Sequence, residues 1–551
     1  MPLLRSPPKG PPVSQRRRIP RLFAPLLLVV AAGATSIAAA PAAAEPAAEA
    51  RPLSQVIPAP ASVTEGGSSY ALTGRTRIRV DEDSREARRI GSYLADILRP
   101  STGFALPVTD WDADWDANDG IRLLLDSEDD SLGDEGYRLE SGRHGVTISA
   151  LKPAGLFHGV QTLRQLLPAS VEKDTRQQGP WVVAGGTIKD VPRYGYRGAM
   201  LDVSRHFFSV DKVKTYIDQM VLYKINKLHL HLTDDQGWRI AIDSWPRLTT
   251  YGGSTQVGGG PGGYYTKADY KEILRYAASR YLEVVPEVDI PGHTNAALAS
   301  YAELNCDGVA PPLYTGTKVG FSSLCVPKDI TYRFLDDVVR EIAAMTPGKY
   351  FHIGGDEAHS TPHADYVTFM DKAQAIVGKY GKTVMGWHQL TGGNPVEGAV
   401  AQYWGLDRTS ATEKAQVANA AKNGTKLVLS PADRAYLDMK YDKSTPLGLN
   451  WAGYVEVDRS YDWNPGAYLP GAPAESVLGV EAPMWSETVW TNDQVEYMAF
   501  PRLPGIAELG WSPAATHDWD TYKVRLAAQG PRMSALGIDY YRSAQVPWSA
   551  E

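Results

Sequence analysis

Two acids stand side by side at Asp356 and Glu357, behind Gly354-Gly355 and at the end of the apolar run "YFHIGG". Neighbouring Cα atoms are about 3.8 Å apart, so neither carboxylate escapes the other's field unless the backbone turns. Paired carboxylates suit glycoside cleavage. Ordinary enzymes of that kind set them on either side of the scissile bond, about 5 Å apart for retention and about 6.5–9.5 Å for inversion. Consecutive residues do not easily bracket a sugar ring. They fit a reaction in which the substrate brings its own nucleophile. A 2-acetamido carbonyl oxygen attacks the anomeric carbon, and Glu357 protonates the leaving oxygen. Asp356 then holds the acetamide N–H and balances an oxazolinium-like intermediate, while Tyr436 can donate its hydroxyl to the acetamide oxygen.

Such residues need a frame. From about 191 to 545, short apolar runs alternate with amphipathic stretches at 209–224, 266–281 and 329–345, the pattern of βα units around a parallel sheet. The runs are "GAMLDVS", "KLHLHLT", "YLEVVPEVD", "YFHIGG", "TVMGW", "AVAQYW", "TKLVLS" and "VLGVEAPMW". Eight of them predict an α/β protein whose catalytic domain is a (β/α)8 TIM barrel, with its site at the C-terminal ends of the strands. Taken in order, those ends offer Arg205-His206, Asp234-Asp235, Asp289 with His293, Asp356-Glu357, Trp387-His388, Trp404, Tyr436 with Asp438, and Trp485 with Glu487. A single barrel tryptophan is more often core than wall. Three on one ring of strand ends (Trp387, Trp404, Trp485) favour a pocket, because indole faces suit the C–H side of a pyranose and would box the acetamide methyl.

Upstream, residues 53–190 mix strands and helices as a small α/β accessory domain. Strands are expected at 75–80 and 121–125, a hairpin turns through Gly142–Gly145, Ser84 caps one helix, and a second covers about 153–167. Residues 45–52 are Ala/Pro/Glu-rich and read as a linker. Residues 1–44 read as a signal peptide, with four arginines at 16–18 and 21, an apolar stretch from 22 to 34 and Ala42-Ala43-Ala44 as cleavage site. That predicts a secreted protein. Its removal takes six basic residues and no acids, so the formal charge of −7 becomes −13, a balance that argues against nucleic acid or anionic membrane as partner. No later stretch is apolar enough to span a bilayer. Export favours a disulfide between Cys306 and Cys325, with free thiols left open.

Some features carry blander readings. His229 and His231 form an H-x-H that metal-dependent barrel hydrolases also use, yet alternation with leucine is what a two-faced strand shows. No metal and no cofactor is expected. "GGGPGG" at 258–263 lacks a strand directly before it and reads as a loop. Asp235 reads as a surface or helix-capping acid. Glu287 and Asp289 are divided between support of the site and solvation of the barrel mouth, and His352 has no role.

Five segments, "LDVSRHFF", "LHLHLTDDQGWR", "PEVDIPGH", "HIGGDEAH" and "MWSE", resemble the family-20 β-N-acetylhexosaminidases in collinear order. The resemblance covers about 190–515, and the preceding domain is similar to the family's. It implies Glu357 as general acid/base, Asp356 and Tyr436 on the acetamide, and Trp387, Trp404 and Trp485 as pocket. It also implies Arg205 and Glu487 at the O3/O4 side, Asp438 near O6 or O4, and Asp234 with His293 as the pair that tunes Glu357. The expected activity is retaining, exo-acting removal of terminal β-linked N-acetylglucosamine, with N-acetylgalactosamine as a further sugar. Partners would be chitooligosaccharides or other N-acetylglucosamine-containing glycans. The rivals are a disaccharide-releasing, lacto-N-biosidase-like relative and an inactive sugar-binding barrel. The loops 252–265 and 440–475 are where this chain is expected to differ from the family.

Overall fold

Eight parallel strands close on themselves: β1 (Tyr196–Asp202), β2 (Lys227–His231), β3 (Glu283–Glu287), β4 (Tyr350–His352), β5 (Thr383–Trp387), β6 (Val400–Tyr403), β7 (Lys426–Leu429) and β8 (Val477–Met484). The computed structural model describes residues 50–110, 120–125 and 129–548. The signal-peptide reading of 1–44 and most of the linker therefore lie outside the described residues. Each strand pairs with the next, and β8 closes the barrel on β1 with Gly479 opposite Tyr196. Each of the eight sequence runs holds one barrel strand. Their near-continuous apolar character follows from burial on both faces; all seven residues of β1 are buried. The helix Val210–Val221 turns Val213, Tyr216, Ile217, Met220 and Val221 inward, and Lys267–Ser279 and Asp329–Met345 flank other strands in the same way.

The barrel interior is layered. One layer is apolar, built from Tyr196, Val285, Met385, Val400 and Val428. The other is polar and fully buried: His229, Glu287, His352, Gln402 and Glu481. The His-Leu-His-Leu alternation of β2 divides accordingly. Leu228 and Leu230 join the main hydrophobic core, and His229 and His231 bond carboxylates inside the barrel.

The preceding domain is a seven-stranded mixed sheet in the order Ser62–Glu65, Gly186–Asp190, Tyr137–Gly142, Gly145–Ser149, Gly120–Leu124, Ile78–Val80 and Val108–Asp110. Its hairpin pairs Arg138 with Ser149 and turns through Gly142 and Gly145. Ser84 caps the helix Arg85–Thr102 by accepting from the Ala87 N–H. The second helix, Pro153–Leu166, is buried at every position from Gly155 onward, as expected of a helix covered on both sides. It is packed on the sheet, and Gln165 donates to the Leu222 carbonyl of the barrel domain (3.1 Å). The junction holds buried charges. Lys224 Nζ donates to Asp190 Oδ2 and Tyr137 Oη, 3.2 Å each. Lys224 precedes β2, so this domain braces the N-terminal end of the barrel, away from the mouth. Arg51, within the stretch read as linker, is docked: it donates to the carbonyls of Gln165 and Ala528. Among the described residues no helix is long and apolar enough to cross a membrane.

Candidate active site

The adjacency of Asp356 and Glu357 is resolved by the backbone. After β4 the chain enters left-handed conformations at Gly354 (φ 60°), Gly355 (φ 101°) and Glu357 (φ 45°). The turn needs glycine at 354, where a Cβ would lie 1.7 Å from Asp289 Oδ1. For a non-glycine such as Glu357 this backbone costs about 1–3 kcal/mol, a strain that concentrates at working sites. Strand alternation ends there, and the two acids part. The Asp356 side chain is 11% exposed and that of Glu357 30%. His293, also at positive φ (54°), faces both. Its Nε2 lies 3.6 Å from Asp356 Oδ2 and 3.5 Å from Glu357 Oε2.

Behind His293 runs a chain of charges. His293 Nδ1 meets Asp234 Oδ1 at 3.2 Å, and Asp234 Oδ2 meets Arg205 at 2.8 Å and His231 Nε2 at 2.8 Å. Burial opposes the Asp234 charge, but Arg205 and His293 hold its carboxyl well below the usual range. Burial likewise opposes the His293 cation, but Asp234, Asp356 and Asp289 push its basicity well above an ordinary imidazole. Asp289 is the partner of Asp356. Burial and the Asp356 charge drive its carboxyl well above the usual range, and it accepts from the Gly355 N–H (3.0 Å). As two carboxylates, Asp289 Oδ2 and Asp356 Oδ1 would each be buried without a donor. Burial pushes the Asp356 carboxyl up as well, against the pull of the His293 cation, so the pair favours holding one proton between them.

The pocket, about 240 Å³, is lined by Arg205, His293, Asp356, Glu357, Trp404 and Tyr436, and also by Asp438, Trp485 and Glu487. All these sequence-derived residues therefore share one cavity, with Asp234 one contact behind. Trp387 is placed differently. It is fully buried, absent from the lining, and set against Trp485 with ring centres 5.7 Å apart. The third lining tryptophan is Trp451, 41% exposed and edge-on to both Tyr436 and Trp404. It sits in the 440–475 loop, where no periodicity marks it. Asp438 and Glu487 are both held up, chiefly by burial; Asp438 also feels the Glu487 charge. Both Asp438 oxygens lack a donor, as befits a site for sugar hydroxyls.

Buried neighbours aim these loops. Asp202 accepts from the N–H groups of Ser204, Arg205 and Ser486, joining the turns after β1 and β8. Arg502 donates to the carbonyls of Leu437, Met439 and Val455, bracketing the segment that carries Tyr436 and Asp438. Asp235, expected at the surface, is fully buried. It accepts from Ser322 Oγ (2.5 Å) and from the N–H of Asn295, the first residue of the helix Asn295–Ser300, so it does cap a helix, but from inside.

Ser322 belongs to the loop closed by the disulfide Cys306–Cys325. This loop supplies Thr317 and Val319 to the pocket and is laced to the acid-bearing segment by Ser360 to Gly320 (2.7 Å) and Ser323 to Thr361 (2.6 Å). Cys306→Ser/Cys325→Ser is expected to lower stability by about 3 kcal/mol on the chain-entropy model and to raise KM as the Val319 wall loosens. A lowered melting temperature with unchanged KM would mean that the bridge supports the fold alone.

A closed βα barrel whose mouth holds acids divided between a buried and an open environment, among aromatic rings, has the architecture of a glycoside hydrolase. Residues 194–366 and 359–514 match the glycosyl hydrolase family 20 catalytic domain, and 53–191 match domain 2 of the same family. This chain belongs to glycosyl hydrolase family 20. It is 42% identical over 495 residues to a beta-N-acetylhexosaminidase of Cellulomonas fimi, covering 90% of this chain and 97% of that one. Among solved structures it is similar to the GH20 beta-N-acetylhexosaminidase of Streptomyces coelicolor A3(2), with 74% identity, a TM-score of 0.89, and 91% and 100% of the two chains covered. It is also similar to a mutant Streptomyces plicatus beta-hexosaminidase in complex with product (GlcNAc), with 73% identity, a TM-score of 0.88, and 91% and 99% covered.

Proposed function

We propose that this glycoside hydrolase is a retaining exo-β-N-acetylhexosaminidase that removes terminal non-reducing β-linked N-acetylglucosamine, and N-acetylgalactosamine as a second sugar. One observation carries the mechanism: Asp356 is buried beside Asp289, whose carboxyl is driven well above the usual range by burial and the Asp356 charge, while its neighbour Glu357 stands open to the pocket. Two acids in unlike environments take unlike roles. The acetamide oxygen forms a bond to the anomeric carbon as the glycosidic C–O bond breaks, and Glu357 gives its proton to the leaving oxygen. Asp356 accepts the acetamide N–H, and Tyr436 donates to the acetamide oxygen. Water then attacks the anomeric carbon, Glu357 takes its proton, and the acetamide is restored with retained configuration. Arg205, Asp438 and Glu487 receive the ring hydroxyls, Trp404 and Trp485 the ring faces, and Trp387 backs the acetamide from beneath.

Exo action is supported by the aromatic walls around the pocket, Trp404, Trp451, Trp485 and Tyr436. Chitooligosaccharides or other N-acetylglucosamine-terminated glycans as substrate, and secretion, extend the same proposal; the leader-like first 44 residues and the disulfide support the latter.

The test is release of an aryl group from its β-N-acetylglucosaminide in excess EDTA, with the product anomer read by NMR. Full activity and a first-formed β-anomer are expected. An α-anomer, or loss of activity restored by a divalent metal, would replace this mechanism.

A further inference from the structure

We propose that Glu287 is a positioning residue of the acetamide pocket, its one carboxylate fixing the Trp387 indole that backs the lining ring of Trp485. The inference rests on the substrate-assisted reading above, in which the acetamide lies between Asp356 and Tyr436.

Glu287 ends β3 and is fully buried. Its Oε1 accepts from Trp387 Nε1 at 2.9 Å, and His352 Nδ1 lies 3.0 Å away. Its Oε2 accepts from His231 Nδ1 at 2.5 Å, with His229 Nε2 at 2.9 Å. Four ring nitrogens thus converge on two oxygens. Trp387 is held twice: its indole by Glu287, and its backbone N–H by the Gly354 carbonyl (2.9 Å), two residues before Asp356. His352 packs edge-on to the indole (5.0 Å), His229 lies 6.0 Å from it, and on its other side stands Trp485 (5.7 Å). Its ring is thus set between the Glu287 cluster and the lining. Without the carboxylate, a buried indole N–H would have no acceptor, and the ring would turn to find one. Through His231 Nε2 on Asp234 Oδ2 (2.8 Å), the same carboxylate is joined to the Asp234–His293 pair. Glu287 itself is not among the lining residues.

Glu287→Gln keeps the shape but turns two acceptors into one acceptor and one donor. Either the indole side or the His231 side must then face an N–H. The readout is the ratio of kcat/KM for an aryl 2-acetamido glucoside to that for its 2-propionamido analogue. Wild-type hydrolysis of the first tests the parent reading by itself. Rejection of one extra methylene by a wall fixed from behind is expected at about 10-fold or more. Glu287→Gln is expected to lower turnover of the acetamide by about 10²-fold and to relax that ratio at least about threefold. Trp387→Phe, which retains a ring but no N–H, should relax it too. In the Trp387→Phe background Glu287→Gln should add no further relaxation, because both act through one bond. Equal losses on the two substrates, or ratio changes that multiply in the double variant, would overturn the proposal. Should Glu287→Gln fail to fold, Glu287→Asp, which withdraws both oxygens by one methylene, goes through the same cycle with the same criteria.

Discussion

Glu357→Gln is expected to lower kcat/KM on a substrate with a poor leaving group, such as a disaccharide, by about 10³-fold, and on a dinitrophenyl glycoside by less than about 10-fold. The difference follows from where the proton is needed. A sugar alkoxide cannot depart unprotonated, whereas a dinitrophenolate can. Because kcat/KM reports the first irreversible step, the later use of Glu357 as base does not blur the comparison. The geometry gives the residue that part. It stands at the pocket lining with its side chain 30% exposed, and His293 Nε2 lies 3.5 Å from its Oε2. The expected signature is a steep dependence of the variant's rate on leaving-group basicity, against a shallow one for the wild type. Equal losses across leaving groups would take the acid role from Glu357 and leave it a support for Asp356.

Much of this site could be read in the chain because the barrel converts linear order into a ring. Once eight apolar runs fix eight strand ends, Arg205, Asp234, His293, Asp356, Glu357, Trp404, Tyr436, Asp438, Trp485 and Glu487 fall at the mouth without any knowledge of packing. What escaped depends on packing. Trp451 lies on a long excursion after β7, and only its edge-on contacts with Tyr436 and Trp404 bring it to the pocket. Trp387 lies at a strand end like the others, but its indole is drawn beneath the lining by Glu287. Asp289 falls near the site by its spacing alone, yet the upward drive on its carboxyl arises from the pair it forms with Asp356, which only the turn at Gly354 creates. Asp235 shows the limit most plainly. A charged residue beside a catalytic-looking acid reads as solvent-facing until Ser322, far along the chain and in the disulfide-closed loop, is seen to bond it.

The largest effect is expected from the substrate rather than the protein. Replacing the 2-acetamido group by a 2-hydroxyl should reduce kcat/KM by about 10⁵-fold or more, because a positioned internal nucleophile carries an effective molarity of at least that order. No residue can take its place. Asp356 is turned toward Asp289 and His293 and is only 11% exposed, and in the proposed mechanism Glu357 serves the leaving oxygen. Asp356→Asn should cost less, about 10²–10³-fold, the usual penalty for removing one group matched to transition-state charge. It should cost almost nothing on the 2-hydroxyl substrate, where there is no acetamide to orient. That crossing of substrate and variant separates this mechanism from one using a covalent carboxylate. If Asp356 were the nucleophile, its removal would abolish turnover of both sugars, and the 2-hydroxyl substrate would be cleaved at a rate comparable to the acetamide. The pairing of a buried Asp356 with an open Glu357 favours the first outcome.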